Sequence, residues 1–429
     1  SRIDYTAQSG RMPEGPMRIL FLNYTFPGPL GTMAASLAAL PGNEVLFASE
    51  YGRRDFSLPG VKRVLLKKPK DRKKAAVSIS TPALDAGERD WTMAYLRGRA
   101  TASSLMGVLA EGFEPDMVIL SGSMGNGLFV RNLFPEAFLV GYADWYFRDE
   151  AETRYPLSTM PDIPLAPRNI RNTLQAKNFF DCNCHFTTTE WQREQYPEGM
   201  RGLISVLRKC VDTEFFAPDP ASRFSFGDCE LTERQEIVTL SVRDAARLRE
   251  GGFWCELPSL LSARPDCHVV LISTGKEVRL DSLRESMAAF PSGMRGRIHL
   301  LDFLPPGAYR DLLRVSSLHL CKDISFMLPS ELLEAMSCGC VVLAPDTGAV
   351  REVLSDGQNG FLYPSGRRMN WVMLITLLLE RRSELLSIRR NARKTVFGKH
   401  NKNILLPRHI AFLMDRYNHW RAQQTQLAE

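Results

Sequence analysis

Residues 318–364, LHLCKDISFMLPSELLEAMSCGCVVLAPDTGAVREVLSDGQNGFLYP, decide the fold of this chain. Short apolar runs at 318–321 and 341–344 are typical of strands buried in a parallel sheet. The run 331–338 between them has the spacing of a helix, and another helix is expected at 350–354. Alternating strands and helices in this order predict a doubly wound α/β domain.

Similar strands are expected before that segment, at 17–23, 43–48, 116–120, 138–142, 185–189, 203–207, 236–242, 268–273 and 298–303. A helix follows the first of them, with Thr32 as its predicted cap. Two α/β halves of similar size predict two facing Rossmann-like domains with a central cleft. A ligand would bind in that cleft, because open parallel sheets bind ligands at the carboxyl ends of their strands.

Changes in composition divide the chain into segments. Residues 217–235 are rich in Pro, Ser and charged side chains, which predicts an excursion near the domain junction. From about residue 367 the pattern is helical to the end. We expect a disordered leader or tag, two Rossmann-like domains and a final helix that packs back on the first domain, at 1–16, 17–207, 208–405 and 406–429.

The composition is that of an ordinary globular protein, with 44% hydrophobic and 24% charged residues in 429. The sequence contains no run of about 20 apolar residues, so we expect no membrane-spanning helix. The N-terminus lacks the basic and then apolar layout of a secretory signal. Nine scattered cysteines favour free thiols in a reducing cytoplasm. The close pairs Cys182/Cys184 and Cys338/Cys340 lack a partner cluster at metal-ligand spacing, so we expect no metal site.

Carboxylates lie near the predicted helix starts of the segment quoted first. Glu331 and Glu334 fall on one helix and Glu352 on the next. A helix N-terminus offers free N–H groups and the positive end of a dipole, which suits a diphosphate. A carboxylate such as Glu352 suits a pair of ribose hydroxyls. The alternative is that these side chains only stabilise helix ends.

Four motifs resemble those of family 4 glycosyltransferases. The longest comprises LLEAM with Cys338-Gly339, DTGAVREV and DGxNG, between residues 332 and 360. The others are MRILF with FPG, GFxPD and VDTxFFxP, which begin at Met17, Gly112 and Val211. The likeness spans about residues 17–410 and is strongest after residue 298.

This resemblance implies a GT-B fold and a retaining glycosyltransferase that needs no metal ion or other cofactor. The donor would be a nucleotide-diphosphate sugar held mainly by the C-terminal domain. The acceptor would be a glycan, a lipid-linked molecule or a protein. A cytoplasmic protein involved in glycan biosynthesis follows from the same likeness.

The resemblance also implies roles for individual residues. Glu352 would hold the donor ribose, Glu334 the sugar or the helix-end network, and Arg243 the diphosphate. The donor pocket would further include Gly28, Gly31, Arg249 (or Arg247 as the second cation), Ser330, Glu331, Thr347 and Gly348. Arginine suits a diphosphate because its geometry is bidentate and its charge is fixed. Arg243 and Glu334 would be catalytic residues, and we add Asp144 to them on grounds that are independent of the resemblance.

The role of Asp144 is predicted from the residues around it in the sequence. It follows a predicted strand in GYADWYF, beside aromatic residues that can stack on a sugar face. We predict that it contacts the sugar or the acceptor; the alternative is an ordinary aspartate at a strand end.

Basic residues are concentrated between Lys62 and Lys74, where eight lie with the single acid Asp71. A solvated loop is one interpretation. Peripheral contact with anionic lipid at the inner face of the membrane, or with a phosphorylated acceptor, is the other. Nucleic acid is not expected, because no recognition module accompanies these residues.

Several family positions are replaced here. The glutamate and glycine that the family has before Glu334 are replaced by Phe326 and Pro329, and no histidine precedes His185. Before Val211, where the family usually has a histidine and a glycine, this chain has Arg208 and Cys210. Proline has no N–H to donate to a phosphate. A catalytically degenerate subunit that binds or scaffolds an active partner is therefore the alternative, and a different sugar-nucleotide enzyme on the same fold is a third hypothesis.

Overall fold

The computed structural model describes most of the chain, in the ranges 15–52, 56–69, 82–148, 165–250, 252–273, 280–322, 327–365 and 369–428. Phe326 and residues 70–74 of the basic segment lie outside them. The described residues form two compact units. Unit 1 contains those up to Arg208 and from Asn403 onward, and unit 2 contains Lys209–Lys402.

Unit 1 is built on a parallel sheet of seven strands in the order β5-β3-β1-β6-β7-β8-β9. The strands are β1 (Arg18–Leu22), β3 (Glu44–Ser49), β5 (Val61–Leu65), β6 (Met117–Leu120), β7 (Phe138–Tyr142), β8 (Cys184–Thr187) and β9 (Ile204–Val206), with a short pair β2 (Thr25–Phe26) and β4 (Tyr51–Gly52) beside them. Its helices are α1 (Gly31–Ala38), α2 (Pro82–Ala110), α3 (Val130–Leu133), α4 (Leu165–Asp181), α5 (Glu190–Glu194), α6 (Glu198–Arg201) and α16 (Lys402–Ala428).

Unit 2 has a parallel sheet of six strands in the order β14-β13-β12-β15-β16-β17. The strands are β12 (Glu236–Val242), β13 (Cys267–Ser273), β14 (Ile298–Leu301), β15 (Leu318–Leu320), β16 (Val341–Pro345) and β17 (Phe361–Tyr363), and an antiparallel hairpin pairs β10 (Arg223–Phe226) with β11 (Cys229–Thr232). Its helices are α7 (Ala245–Glu250), α8 (Gly252–Ala263), α9 (Asp281–Met287), α10 (Ser292–Arg295), α11 (Pro306–Val315), α12 (Ser330–Ser337), α13 (Gly348–Arg351), α14 (Trp371–Glu380) and α15 (Leu386–Lys399).

The central strands are apolar along their length because helices cover both faces of each sheet. All seven residues of β12 are buried. In unit 1, Leu20 of β1 lies in register between Leu46 and Val118 on the neighbouring strands. Burial on both faces removes the polar alternation of a half-exposed strand, so these strands were recognisable as continuous apolar runs.

One local expectation was wrong. Thr32 lies inside α1, whose N-terminal flanking residue is Leu30 and makes no side-chain cap. The segment 217–235, expected as an excursion near the domain junction, contains the β10–β11 hairpin. Gly227 supplies a positive φ of 58° at its turn, and Phe224 and Leu231 bury their side chains in the unit 2 core.

The final helix, α16, begins at Lys402, four residues before the expected boundary. It belongs to unit 1, where Ile410, Leu413, Met414 and Tyr417 pack in the same cluster as β1 and β7. Among the helices that the structure describes, none is long and apolar enough to cross a membrane.

Candidate functional site

Two predicted donor residues of unit 2, Arg243 and Glu331, lie close together. Arg243 follows the last residue of β12, and its Nη2 lies 3.7 Å from Oε1 of Glu331 on the first turn of α12. Arg243 is exposed, whereas only 11% of the Glu331 side chain is accessible. The guanidinium therefore lies at the carboxyl end of a parallel strand and close to a helix N-terminus, a combination that suits an anion.

The start of α12 keeps its N–H groups free of side-chain caps. Pro329 flanks the helix in an extended conformation, and no side chain caps the first turn. Pro329 cannot donate a hydrogen bond, but Ser330, Glu331 and Leu332 begin the helix and carry the N–H groups that lack intrahelical partners. Ser330 is exposed. The proline thus removes one donor and leaves the helix end itself available.

Glu334 lies one turn further along α12. Burial, reinforced by the nearby charge of Glu331 and opposed by Lys209, raises the pKa of Glu334 to about 7. Tyr309 of α11 belongs to the same environment, where burial and then the two glutamates raise its pKa well above 10. Glu334 can therefore exchange a proton near neutral pH, which suits a group that contacts a reacting sugar.

Lys209 is the functional candidate that the sequence did not reveal. Its Nζ donates a hydrogen bond of 2.6 Å to the carbonyl of Leu328, just before α12. Burial lowers the pKa of Lys209 to about 8, against the attraction of Glu334. Nδ1 of His400 bonds the Lys209 carbonyl at 2.7 Å and fixes the backbone there. Its one signal in the sequence was its position between Arg208 and Cys210, which differ from the family pattern before the VDT motif.

Thr347, Gly348 and Glu352 surround the short helix α13. Oγ1 of Thr347 accepts from the N–H of Val350 at 3.4 Å, so this side chain caps the helix. Gly348 is buried at the helix start, and Glu352 is half-buried at the opposite end. A carboxylate at a C-terminal end gains nothing from the helix dipole. Stabilisation of α13 therefore does not explain why a glutamate is present at position 352.

Arg249 and the two loop glycines occupy other places. Arg249 is exposed on α7. In unit 1, Gly28 has a φ of 50°, and a Cβ there would lie 2.3 Å from Nδ2 of Asn23. A Cβ on Gly31 would lie 2.4 Å from Cβ of Pro27. Both glycines are required by the packing of their own loop, which is a structural reason for them besides the predicted place in the donor pocket.

Asp144 is the centre of a hydrogen-bond network in unit 1. Its Oδ2 accepts from Oγ of Ser123 at 2.6 Å and from Oγ of Ser121 at 3.3 Å. Its Oδ1 accepts from the Trp145 N–H at 2.8 Å and from the amide of Gln175. Burial raises the pKa of Asp144, although these donors favour the charged form. The carboxylate therefore links the ends of β6 and β7 to α4.

Replacing Asp144 by alanine is expected to lower the free energy of unfolding by about 2–4 kcal/mol, because several buried donors lose their acceptor together. Equilibrium urea unfolding measures this change. Asp415→Ala is the matched control, since that aspartate is exposed on α16 of the same unit. A loss for Asp144→Ala no greater than that of the control would contradict the structural role.

A second polar cluster lies at the carboxyl end of the unit 1 sheet. Glu50, directly after β3, is only 4% exposed and pairs with Nε of Arg97 from α2 at 2.9 Å. Nη1 of Arg97 also donates to the Met124 carbonyl at 2.8 Å, and its guanidinium lies 5.0 Å from the ring centre of Tyr24. No motif indicated this cluster, because its members come from four separate segments of the chain.

The described residues contain no group of three or more His, Cys, Asp or Glu side chains placed to hold a metal ion. The nine cysteines form no disulfide, and Cys338 and Cys340 are buried. Burial raises the pKa of both of these thiols to about 12. These two cysteines therefore pack as small apolar side chains.

Two family models match the chain. The glycosyl transferase family 4 group matches residues 41–216, and the glycosyl transferases group 1 matches residues 257–395. The chain belongs to the family 4 type of GT-B glycosyltransferases. The predicted family and fold class are confirmed by these matches together with the two parallel sheets.

Curated relatives of this chain include two mycobacterial proteins. An alpha-maltose-1-phosphate synthase of Mycobacterium tuberculosis is 27% identical over 39% of this chain and 43% of that protein. A phosphatidyl-myo-inositol mannosyltransferase of Mycolicibacterium smegmatis is 30% identical over 34% of this chain and 38% of that protein. The alignments thus span less than half of these relatives.

Solved structures share the fold over nearly the whole glycosyltransferase. Sucrose-phosphate synthase from Thermosynechococcus elongatus has a TM-score of 0.63 and 12% identity, covering 96% of this chain and 100% of its own. Anabaena HepE, in complex with UDP and glucose, has a TM-score of 0.62 and 15% identity over 93% of this chain and 99% of its own. At these identities the likeness concerns the fold.

Proposed function

We propose that this protein transfers a sugar from a nucleoside diphosphate sugar to an acceptor hydroxyl, with retention of the anomeric configuration. Unit 2 binds the donor. The observation that carries this proposal is the convergence of Arg243, the uncapped start of α12 and Lys209 on one region of unit 2. Two cations and a helix N-terminus together suit a diphosphate.

In the proposed reaction, the bond between the anomeric carbon and the diphosphate oxygen breaks. A bond to the acceptor oxygen forms on the same face, and the acceptor proton passes to the leaving diphosphate. Negative charge grows on the diphosphate during this step, so cations already in place lower the barrier. Arg243 supplies the fixed charge, and Glu334 in its neutral form donates a hydrogen bond to the donor sugar.

The relatives support a nucleotide sugar donor and suggest a first probe. HepE was crystallised with UDP and with UDP-glucose, and the catalytic domain of Starch Synthase IV from Arabidopsis thaliana was bound to ADP. UDP and ADP are therefore the first nucleotides to compare. Glu352, which is half-buried at the end of α13, would bind the ribose hydroxyls of either nucleotide.

Calorimetric titration with nucleoside diphosphates and nucleotide sugars tests the proposed donor site. Base-selective binding by the wild type, lost in Glu352→Ala, supports it, and the preferred nucleotide sugar then enters a turnover assay. Absence of binding to every member of the panel would overturn the proposal. Binding without turnover on glycan, lipid or protein acceptors would favour a degenerate subunit that acts through a partner.

The ionisation of Glu334 is expected to show in donor binding. Its pKa of about 7 means that the carboxyl is neutral below pH 7 and adds a negative charge beside Glu331 above it. UDP should therefore bind more weakly, by up to about tenfold, as the pH rises from about 6 to about 8. Calorimetry across this range measures the effect.

Glu334→Gln is the control for that titration, because glutamine stays neutral at every pH used. The variant also corrects for the ionisation of the UDP phosphate itself. If wild type and Glu334→Gln show the same pH dependence, then the charge of Glu334 does not influence the bound nucleotide and its proposed place in the donor site is wrong.

We also propose that the protein works in the cytoplasm and contacts anionic lipid through the basic segment 62–74. In the described part of this segment, Lys62, Lys67 and Lys68 are exposed, and Leu65 is 64% exposed between them. Basic side chains each contribute about 1 kcal/mol near an anionic surface. Sedimentation with anionic vesicles that shows no salt-sensitive binding would refute the contact.

A further inference from the structure

A cavity of about 560 Å³ lies within unit 2, away from the start of α12. Cys338 and Gly339, which follow the last turn of α12, line it together with α15 and the segment 218–220. The volume is in the usual range for small-molecule sites. Since α12 has eight residues, about 12 Å of helix separates this cavity from the proposed donor site.

Positive side chains dominate the cavity wall. It carries five cationic residues, namely Arg314, Arg389, Arg390, Arg393 and Lys394, against Asp219 and Glu233. Arg314 is neutralised, because its Nη1 lies 3.2 Å from Asp311 and 3.6 Å from Asp219. The remaining four cations belong to α15 and are met only by Glu233, which is exposed.

The two less exposed arginines of the cavity, Arg389 and Arg393, form hydrogen bonds to backbone carbonyls. Nε of Arg389 donates to the Gly339 carbonyl at 2.6 Å, and Nη1 of Arg393 donates to the Phe216 and Ser337 carbonyls, each at 3.1 Å. Carbonyls orient a guanidinium without cancelling its charge. Burial lowers the pKa of Arg393, so this cation is held partly out of water without a carboxylate.

The two exposed cations of the cavity, Arg390 and Lys394, are available to a ligand. Arg390 and Lys394 are exposed, and neither has an ion-pair partner within the described ranges. They lie on consecutive turns of α15, four residues apart, so both side chains point to the same side of the helix. An anion that enters the cavity can therefore gain their charge without breaking an existing contact.

Apolar groups complete the wall. The exposed ring of Phe397 lies 5.3 Å from the Arg393 guanidinium. Leu386, Pro218 and Pro220 also line the cavity. A bare inorganic anion would leave these surfaces unused. A ligand that carries both a phosphate and a ring or short apolar body would contact the cations and the apolar surface together.

We propose that this cavity binds an organic phosphate, with Arg389, Arg390, Arg393 and Lys394 around the phosphate and Phe397 against the body of the ligand. The phosphate belongs to a small metabolite or to a lipid headgroup. Charge-assisted hydrogen bonds from arginine supply most of the affinity. The site is independent of the donor site and does not rest on the proposed reaction.

Calorimetry with glucose 6-phosphate tests the soluble source, and sedimentation with vesicles containing phosphatidylinositol 4-phosphate tests the lipid source. The wild type should bind one of these probes in a saturable way. Arg390→Ala with Lys394→Ala should weaken that binding at least about tenfold, since two uncompensated charges are lost. The folded state should be unaffected, because neither side chain has a partner to lose.

Two controls locate the binding. Lys399→Ala removes an exposed charge from the last residue of the same helix, outside the cavity, and should leave the affinity unchanged. Glu352→Ala or saturating UDP should also leave it unchanged, which separates this site from the donor site. No saturable binding of either probe up to about 10 mM, or equal binding by the double variant, would overturn the proposal.

Discussion

Replacing Arg97 by methionine is expected to lower the free energy of unfolding by about 3–5 kcal/mol. Glu50 is 4% exposed and its carboxylate is neutralised by Arg97, so the variant leaves a buried negative charge without its partner. The Met124 carbonyl and the face of Tyr24 lose a cation at the same time. Equilibrium urea unfolding with a probe in unit 1 measures the loss.

The matched control for this prediction is Arg99→Met. Arg99 lies on the same helix but is exposed, so its removal should change stability by no more than about 0.5 kcal/mol. Combining Arg97→Met with Glu50→Gln should recover part of the loss, because the unpaired charge disappears. If the single variant is as stable as the control, then the ion pair does not stabilise unit 1.

Replacing Arg243 by alanine is expected to lower kcat/KM for sugar transfer by about 10²–10³-fold, because a charge placed for the leaving diphosphate is lost. Arg243→Lys should retain part of the rate, since lysine keeps the charge but lacks the bidentate geometry. Initial-rate assays with the nucleotide sugar found by calorimetry measure both variants.

Arg223→Ala serves as the control for Arg243→Ala. Arg223 is an exposed cation of β10 in the hairpin of unit 2, and its removal should leave kcat/KM within about twofold. Unfolding of each variant must be followed in parallel, so that loss of rate is separated from loss of fold. A rate for Arg243→Ala within about threefold of the wild type would place the diphosphate elsewhere.

The two arginines tested by these predictions differ in whether the sequence revealed them. Arg243 was recognised from the sequence, because it directly follows an apolar strand and resembles a family position. Arg97 was not recognised, because it lies within a long helix and meets Glu50 only after β3 and α2 have packed. The chain separation of these two residues is 47, far beyond any local pattern.

The sequence alone determined the alternation of strands and helices in both units, since apolar runs and helical spacing are local properties. It also placed Glu331 and Glu334 on one helix, because they are three residues apart, and Arg243 directly after a buried strand. The hairpin at 223–232 escaped prediction, because its strands are short and rich in polar and charged residues that are also typical of loops.

Only the tertiary structure decided the rest. Lys209 meets the Leu328 carbonyl across 119 residues, and the serine and glutamine donors to Asp144 lie 21–31 residues away from it. The cavity on α15 combines that helix with residues 218–220 and the end of α12. Such contacts depend on how distant elements pack, and neither the period nor the composition of a segment records its partner.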